Sequence, residues 1–382
     1  MKDIVIVAGK RTPMGEYGGA LKDFTALELG AFAGKAAIDQ SKFDTAEFDH
    51  CIFGNALQTS GDALYGARHV GLRAGLPVEV PALTVNRLCG SGIQSIISAA
   101  QLIELGETNI VLAGGMESMS QAPHVIRGAR WGLRLGQGKL EDSLMVALLD
   151  TYCGCYMATT AENLARKYGI TREAQDEFAL RSQKLAAAAW DSGKFSDEVV
   201  AVDKFERDDH LRPDTTLEGL AKLKTAFGKD GFVTAGNASG IVDGGAAVVV
   251  TTADRAQVSP LGRIVSWGIA GVQPEIMGIG PVPAARIAID KAGLKLADID
   301  LIEINEAFAA QYLAVEKALE LDRDRVNVNG GAIALGHPLG ASGTRLTITV
   351  LYELRRRKKR YGLAAACIGG GQGIAIIVEA LS

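Results

Sequence analysis

LTVNRLCGSGIQSIISAAQLIELGETNIVLAGG, residues 83–115, decides the fold class. Leu83 to Asn86 reads as a short strand leading to Cys89. From Gly92 the apolar positions Ile93, Ile96, Ile97 and Ala100 fall three and four apart, the spacing of one helix face. Ile110 to Ala113 is a second strand-like run, stopped by Gly114 and Gly115. The same alternation precedes this stretch. Ile4 to Val7 is a short apolar run. Thr25-Ala26-Leu27-Glu28 forms a capping box that opens a helix carrying Leu27, Ala31, Gly34 and Ile38. Cys51 to Gly54 is another strand. The pattern resumes from Gly262, with Ile264-Val265, a helix around Ala284 to Ala292, a strand from Leu301 to Ile304, and closing strands near Ala364–Cys367 and Ile374–Val378. Continuous apolar strands between periodic helices predict an α/β protein with a buried, largely parallel sheet.

Between about Ser118 and Ser239 the pattern changes: charges rise, apolar strands vanish, and one long helix from Thr171 to about Ser192 dominates. The span reads as an insertion, and the helix as a structural strut. Ala246 to Val250 returns to strand. With 382 residues, the chain exceeds the roughly 250–300 at which a single core stops growing. The expected division is 1–118 with 240–260 as a first core half, 119–239 as an inserted loop domain, and 261–382 as a second core half. The two halves share apolar strands that run into Gly-rich turns, which suggests structural duplication.

Composition excludes several classes. The net charge of −4 is not a nucleic-acid footprint. No apolar stretch approaches the roughly 20 residues of a membrane span, and Met1 to Val7 carries no leader pattern, so a cytoplasmic enzyme is expected. The five cysteines, Cys51, Cys89, Cys153, Cys155 and Cys367, are odd in number and scattered, which suits free thiols. Cys153 and Cys155 lack the further ligands that a zinc site needs, so no metal is expected. The basic run Arg355 to Arg360 reads as a solvated helix C-terminus.

Three residues carry the candidate chemistry. Cys89, in NRLCGSG (86–92), lies between a strand and a helix start, where the helix N-terminal field favours thiolate; the plain alternative is a small core cysteine. His337, in GGAIALGHPLGASG (330–343), is crowded by glycines before a helix. That context suits a base held in a tight loop, whereas His50, His69, His124 and His210 read as surface residues. Cys367, in CIGGGQG (367–373), ends a strand before a turn whose N–H groups suit an oxyanion hole. No helix pattern follows that turn, so it is not a dinucleotide-binding fingerprint.

These three motifs, with GGMESMS (114–120), NASG (237–240) and NEAF (305–308), occur in an order that resembles the thiolase family essentially from Lys2 to Ser382. The resemblance implies two similar α/β halves in layered α-β-α-β-α packing with an inserted loop domain. It implies Cys89 as the acylated nucleophile, His337 as its base, and Cys367 as the acid/base at the substrate's alpha carbon. Asn305 would hold a water and form one oxyanion site with His337. The N–H groups of Cys89 and Gly369 would form the other. Met157, Arg212, Phe227, Ala235, Ser239, Ala307 and Phe308 match positions that contact CoA, and Met277 lies in the acyl-pocket loop. Tyr156 stands where many short-chain members have histidine.

The implied activity is reversible, ping-pong cleavage or condensation of acyl-CoA, foremost two acetyl-CoA to acetoacetyl-CoA and CoA. A 3-ketoacyl-CoA thiolase of longer chain preference is the near alternative. A ketoacyl carrier-protein synthase would not place a cysteine at 367, and a non-catalytic acyl-CoA binding protein would have lost a reactive residue. CoA thioesters are the expected partners, with no cofactor, nucleic acid or membrane. Residues 122–138 resemble the family's tetramer-forming loop, which implies a homotetramer.

Overall fold

The computed structural model describes residues 2–136, 138–226 and 230–381. The first half contains strands β1 (Ile4–Arg11), β2 (His50–Gly54), β3 (Ala82–Val85) and β4 (Val111–Glu117), with helices α1 (Ala26–Ser41), α2 (Gly66–Ala74) and α3 (Ser91–Leu105). The intervening span holds the short hairpin strands β5 (Leu149–Asp150) and β6 (Cys155–Tyr156), then α4 (Met157–Tyr168) and α5 (Arg172–Asp191). After β7 (Val242–Thr252) the second half runs through β8 (Gly262–Gly271), α6 (Pro281–Ala292), β9 (Leu301–Ile304), α7 (Ala309–Leu319), α8 (Leu339–Arg357), β10 (Tyr361–Ile368) and β11 (Gln372–Ala380).

Nine of these strands form a ten-stranded sheet in the order β9-β10-β11-β8-β1-β7-β4-β2-β3, with Gly15–Glu16 pairing on β7 as the tenth, while β5 and β6 pair only with each other. Only Val5↔Arg263 and Ile6↔Gly262 join its two halves, across β1 and β8. The expected parallel sheet is corrected. Only β2–β3, β2–β4 and β9–β10 are parallel, and every other pair is antiparallel. A continuous apolar run reports that both faces of a strand are covered, and the central antiparallel strands here meet that condition too.

Three apolar cores define the layers. α1 and α2 close the outer face of the first half-sheet, through Leu27, Ala33, Val70 and Phe53. α3 and α8 share the central core with both half-sheets: Ile93, Ile96, Leu346 and Ile348 pack among Val248, Val250, Ile374 and Ile376. α6 and α7, joined by α4 and α5, cover the outer face of the second half. The layering is therefore helix, sheet, helix, sheet, helix. Residues 88–105 are apolar enough over 18 residues to span a membrane by length and composition, yet they form the helix of the middle layer.

Local signals place the elements. Thr25 and Glu28 complete the capping box of α1, and the Thr171 hydroxyl caps α5 through the Ala174 amide. α5 is more than a strut: Phe178 is fully buried and stacks on Tyr312 of α7, with ring centroids 4.1 Å apart. Lys358, at φ 53°, ends α8, where Arg356 and Arg357 both pair with Glu353.

Candidate active site

Cys89 lies on a single 3-10 turn, Leu88–Gly90, between β3 and α3. Its own motif builds the bend. Leu88 adopts a positive φ of 46°, rare for a branched side chain, and Asn86 Oδ1 accepts its amide at 2.9 Å. Ser91 Oγ accepts from Arg87 N at 2.9 Å and donates to Leu88 O at 2.7 Å. The thiol is thereby held partly exposed, against Met119, Leu144 and Leu339.

The expected low thiol pKa is corrected. Desolvation pushes Cys89 up to about 11. The backbone amides of Gly369 and of Cys89 itself, near the sulfur, pull the other way, and the nearby Glu117 carboxylate adds to the rise. Burial outweighs the field of the α3 N-terminus, so Cys89 rests as a thiol and needs a base.

His337 supplies a neutral imidazole. It is buried, and desolvation, then the Arg345 charge, lower its pKa to about 3. Arg345 is itself buried and paired with Glu303 at 3.0 Å. Ser342 Oγ donates to Pro338 O at 3.0 Å and stands 2.5 Å from His337 Nδ1. Its one proton being committed to Pro338, Ser342 receives the Nδ1–H. Nε2 is therefore bare, and it accepts from Asn305 Nδ2 at 3.2 Å. Asn305 Oδ1 is buried without a protein partner, an orphaned acceptor suited to an ordered water.

Cys367 ends β10, fully buried with Met277 and Ala307, and Met157 and Phe308 pack on that group. Burial first, then the neighbouring Cys89 sulfur, push its thiol far upward. Gly369 follows on the turn, and a Cβ placed there would lie 3.3 Å from Met157 Sδ. Asn305, bonded to His337, lies two residues before Ala307, which packs with Cys367 and Met277 under Met157 and Phe308; Met157 approaches Gly369, and the Cys89 sulfur neighbours Cys367. Tyr156 is the N-cap residue of α4, immediately before Met157. The Ser239 amide donates to Ala307 O at 3.0 Å, which seats the 237–240 loop beside the NEAF turn.

Arg212 and Ala235 stand farther out. Arg212 is about half exposed and bonds Asp209 O and Glu16, and Ala235 is exposed. Phe227 lies outside the described residues. His210, expected on the surface, is mostly covered and bonds Glu16 Oε2 through Nδ1 at 2.7 Å. The described residues contain no group of three or more His, Cys, Asp or Glu placed to hold a metal.

Sequence reasoning missed three supporting residues. Ser342 fixes the imidazole. Glu117, buried beneath the Cys89 turn, accepts from Asn55 Nδ2, Ala56 N, Leu57 N and Gly340 N at 2.7 to 3.1 Å, so it ties β2's exit to the start of α8. Glu306 accepts from Ser182 Oγ at 2.6 Å, Asn327 Nδ2 at 2.9 Å and Ile333 N at 3.1 Å, which anchors the chain entering His337. All three lie inside quoted motifs, but their partners are distant in sequence and no spacing signals them.

Comparison with known proteins accounts for this arrangement. Residues 4–254 match the family model for the thiolase N-terminal domain and residues 258–380 that for the C-terminal domain. The chain is 54% identical to human "3-ketoacyl-CoA thiolase, mitochondrial", over 99% of this chain and 98% of that one. It is 50% identical to an "acetyl-CoA acetyltransferase" of Pseudomonas aeruginosa, over 98% and 99%. The solved structure of the human mitochondrial 3-ketoacyl-CoA thiolase in complex with CoA superposes with a TM-score of 0.98 at 55% identity, covering 100% of this chain and 98% of that one. The expectation of a cytoplasmic enzyme is corrected by these matches, because the mammalian relatives at 50–54% identity are all named as mitochondrial. Matched along both domains, the chain belongs to the thiolase family, acyltransferases that cleave and condense acyl-CoA thioesters.

Proposed function

We propose that the protein catalyses reversible thiolysis of 3-ketoacyl-CoA, with acetoacetyl-CoA as the shortest substrate. The observation that carries the reading is the buried pair of Asn305 Nδ2 and His337 Nε2, 3.2 Å apart, with Asn305 Oδ1 left without a protein partner and Ala307, two residues on, packed against Cys367. A ketone carbonyl seated over Cys89 meets nucleophile, oxyanion donors and proton donor together.

In the thiolysis direction the bare Nε2 of His337 takes the Cys89 proton, and the thiolate attacks the 3-keto carbon. The bond between carbons 2 and 3 breaks, leaving an acyl-Cys89 thioester and the enolate of acetyl-CoA. Cys367 protonates that enolate at its alpha carbon. Asn305, with a water on its orphaned Oδ1, and the now protonated His337 stabilise the enolate oxygen. CoA then enters, gives its thiol proton to Cys367, and attacks the acyl group; the amides of Cys89 and Gly369 hold the tetrahedral oxyanion, which collapses as Cys89 leaves and takes back the proton held by His337. Read backwards, the same steps condense two acyl-CoA molecules. CoA is held by Met157, Ser239, Ala307 and Phe308 near the thiol end and by Arg212 and Ala235 toward the nucleotide, and no cofactor takes part.

Longer chains are favoured by the 54% identity to a protein named 3-ketoacyl-CoA thiolase and by Tyr156 in place of the histidine of many short-chain members. A second reading, dedicated acetoacetyl-CoA turnover, is favoured by the 50% identity to an acetyl-CoA acetyltransferase, with Met277 packed beside Cys367. Thiolysis rates on acetoacetyl-CoA and a medium-chain 3-ketoacyl-CoA decide between them. A higher kcat/KM on the medium chain is expected, and turnover confined to acetoacetyl-CoA establishes the second reading. Absence of acyl label on Cys89 after quenching overturns both.

A homotetramer is the proposed assembly. Trp131, Leu133, Leu135 and Leu140 of the inserted span are all more than half exposed, an apolar patch that an intersubunit contact would cover. Light scattering on the purified protein tests it, and a dimer refutes it.

A further inference from the structure

Cys153 and Cys155 are free thiols that the proposed chemistry does not use, and both are partly exposed. They flank Gly154 at the end of the β5–β6 hairpin, in which Leu149 pairs with Tyr156 and Asp150 with Cys155. The turn is tight: the Gly154 amide donates to Asp150 O at 2.8 Å and the Tyr152 amide to Asp150 Oδ1 at 2.9 Å. Cys155 Sγ folds back over the turn, 3.7 Å from Cys153 O. A disulfide needs Cα atoms about 4.4–6.8 Å apart. Two residues reach only about 7 Å even when extended, and Gly154, at φ +69°, bends the chain short of that limit. A Cβ on Gly154 would meet nothing within 4 Å, so the turn has open space in which to rearrange.

We propose that Cys153 and Cys155 are a modification site, a C-x-C dithiol that closes reversibly to a disulfide and tunes the neighbouring substrate pocket. The oxidant is a small-molecule disulfide of the glutathione type. Both protein S–H bonds break and one S–S bond forms, while the oxidant's S–S bond breaks and its two sulfurs leave as thiols carrying both protons. Desolvation and the adjacent Cys155 and Asp150 hold the Cys153 thiol above its ordinary range, so closure accelerates as pH rises.

The hairpin leads directly into the site. Cys155 is followed by Tyr156 and Met157, and the Met157 amide donates to Leu148 O at 2.9 Å across the base of the same hairpin. Met157 packs on the group containing Cys367 and approaches Gly369. Closing the ring at 153–155 therefore shifts backbone only one or two residues from side chains that touch the reaction centre. This coupling rests on the proposed CoA-thioester activity, whereas disulfide formation does not.

The test equilibrates the full-length protein in glutathione buffers of graded oxidation, traps free thiols by alkylation, and reads the tryptic fragment 140–166 by mass. Two alkyl groups are expected to disappear together, leaving that fragment lighter by two hydrogens. Cys153→Ser should replace this species with a glutathione adduct on Cys155. The proposal is overturned if Cys89 and Cys367 oxidise while 153 and 155 stay alkylated, or if either hairpin cysteine bridges elsewhere. In the kinetic arm, the oxidised protein should show a severalfold higher KM for its CoA thioester, reversed by dithiothreitol and absent in Cys153→Ser. An unchanged KM in a fully bridged protein overturns the tuning. If no CoA thioester is turned over at all, the functional reading fails, and the fragment mass still decides the disulfide.

Discussion

His337 Nδ1 stands 2.5 Å from Ser342 Oγ, and that contact determines which imidazole nitrogen is bare. Ser342 lies one helical turn beyond His337, at the start of α8, so the helix that fills the middle layer also orients the base. The Pro338 carbonyl completes the chain by taking the serine proton.

Ser342→Ala removes the acceptor for Nδ1–H inside a buried site. An unsatisfied buried donor costs about 1–3 kcal/mol, equivalent to a fall of about 5- to 150-fold in acylation rate. Part of the imidazole then shifts its proton to Nε2, the wrong nitrogen. Stopped-flow acylation of Cys89 should show the loss, with KM little changed. Ser342→Thr, which restores an acceptor, should recover much of it. Equal loss in both variants would argue for a packing role.

The depressed pKa of His337 sets an acid limit to stability. In the unfolded chain a histidine protonates below about 6.5, whereas the folded site holds it neutral down to about 3. Between those values the unfolded state binds more protons, so stability falls as pH falls. One unit is about 1.36 kcal/mol, which makes the loss about 3 kcal/mol by pH 4. Urea unfolding of the wild type should show this slope, and His337→Gln should lack it. Catalysis should show no acid limb near pH 6.5 from this residue.

Cys367→Ala separates the two half-reactions. Cys89, His337 and the two amides remain, and CoA, unlike a carbon acid, can depart as an unprotonated thiolate, so acylation by acetyl-CoA should slow far less than condensation. General acid–base catalysis contributes about 10²–10⁴-fold, and condensation should slow by that amount. Label trapped on Cys89 without formation of a 3-ketoacyl product is the expected pattern. Condensation at the wild-type rate would remove Cys367 from the proton path.

Much of this was legible in the residues. Ile93, Ile96 and Ile97 announce α3 because helical periodicity is local, and Thr25 with Glu28 announces the start of α1 for the same reason. Cys89, His337 and Cys367 stood out because each sits among glycines. Strand direction was not legible, since β1, β7 and β11 are covered on both faces and therefore look alike whether parallel or antiparallel. The rise in the Cys89 pKa was hidden as well, because the burial that causes it comes from Met119, Leu144 and Leu339, far along the chain. Ser342, Glu117 and Glu306 act through hydrogen bonds that exist only after folding.

Gly336 offers the sharpest test of how the loop holds His337. Its φ is +94°, and a Cβ there would lie 2.4 Å from Val242 Cγ1 in β7. Gly336→Ala therefore combines backbone strain with a clash against the first half-sheet. The loop must move away from β7 and carry His337 with it, and a shift of about 1 Å costs about 10²-fold in rate. Gly169→Ala is the matched control. That residue caps α4 at φ +62° with nothing within 4 Å of a Cβ, so it bears the strain without the clash. The left-handed helical backbone of Gly169 costs a non-glycine residue about 1–2 kcal/mol, and the glycine-only region of Gly336, at ψ 168°, costs about 1–3 kcal/mol, so thermal unfolding should register a loss in both variants. Only Gly336→Ala should lose activity. Matched activity in the two would mean that Val242 yields without disturbing His337.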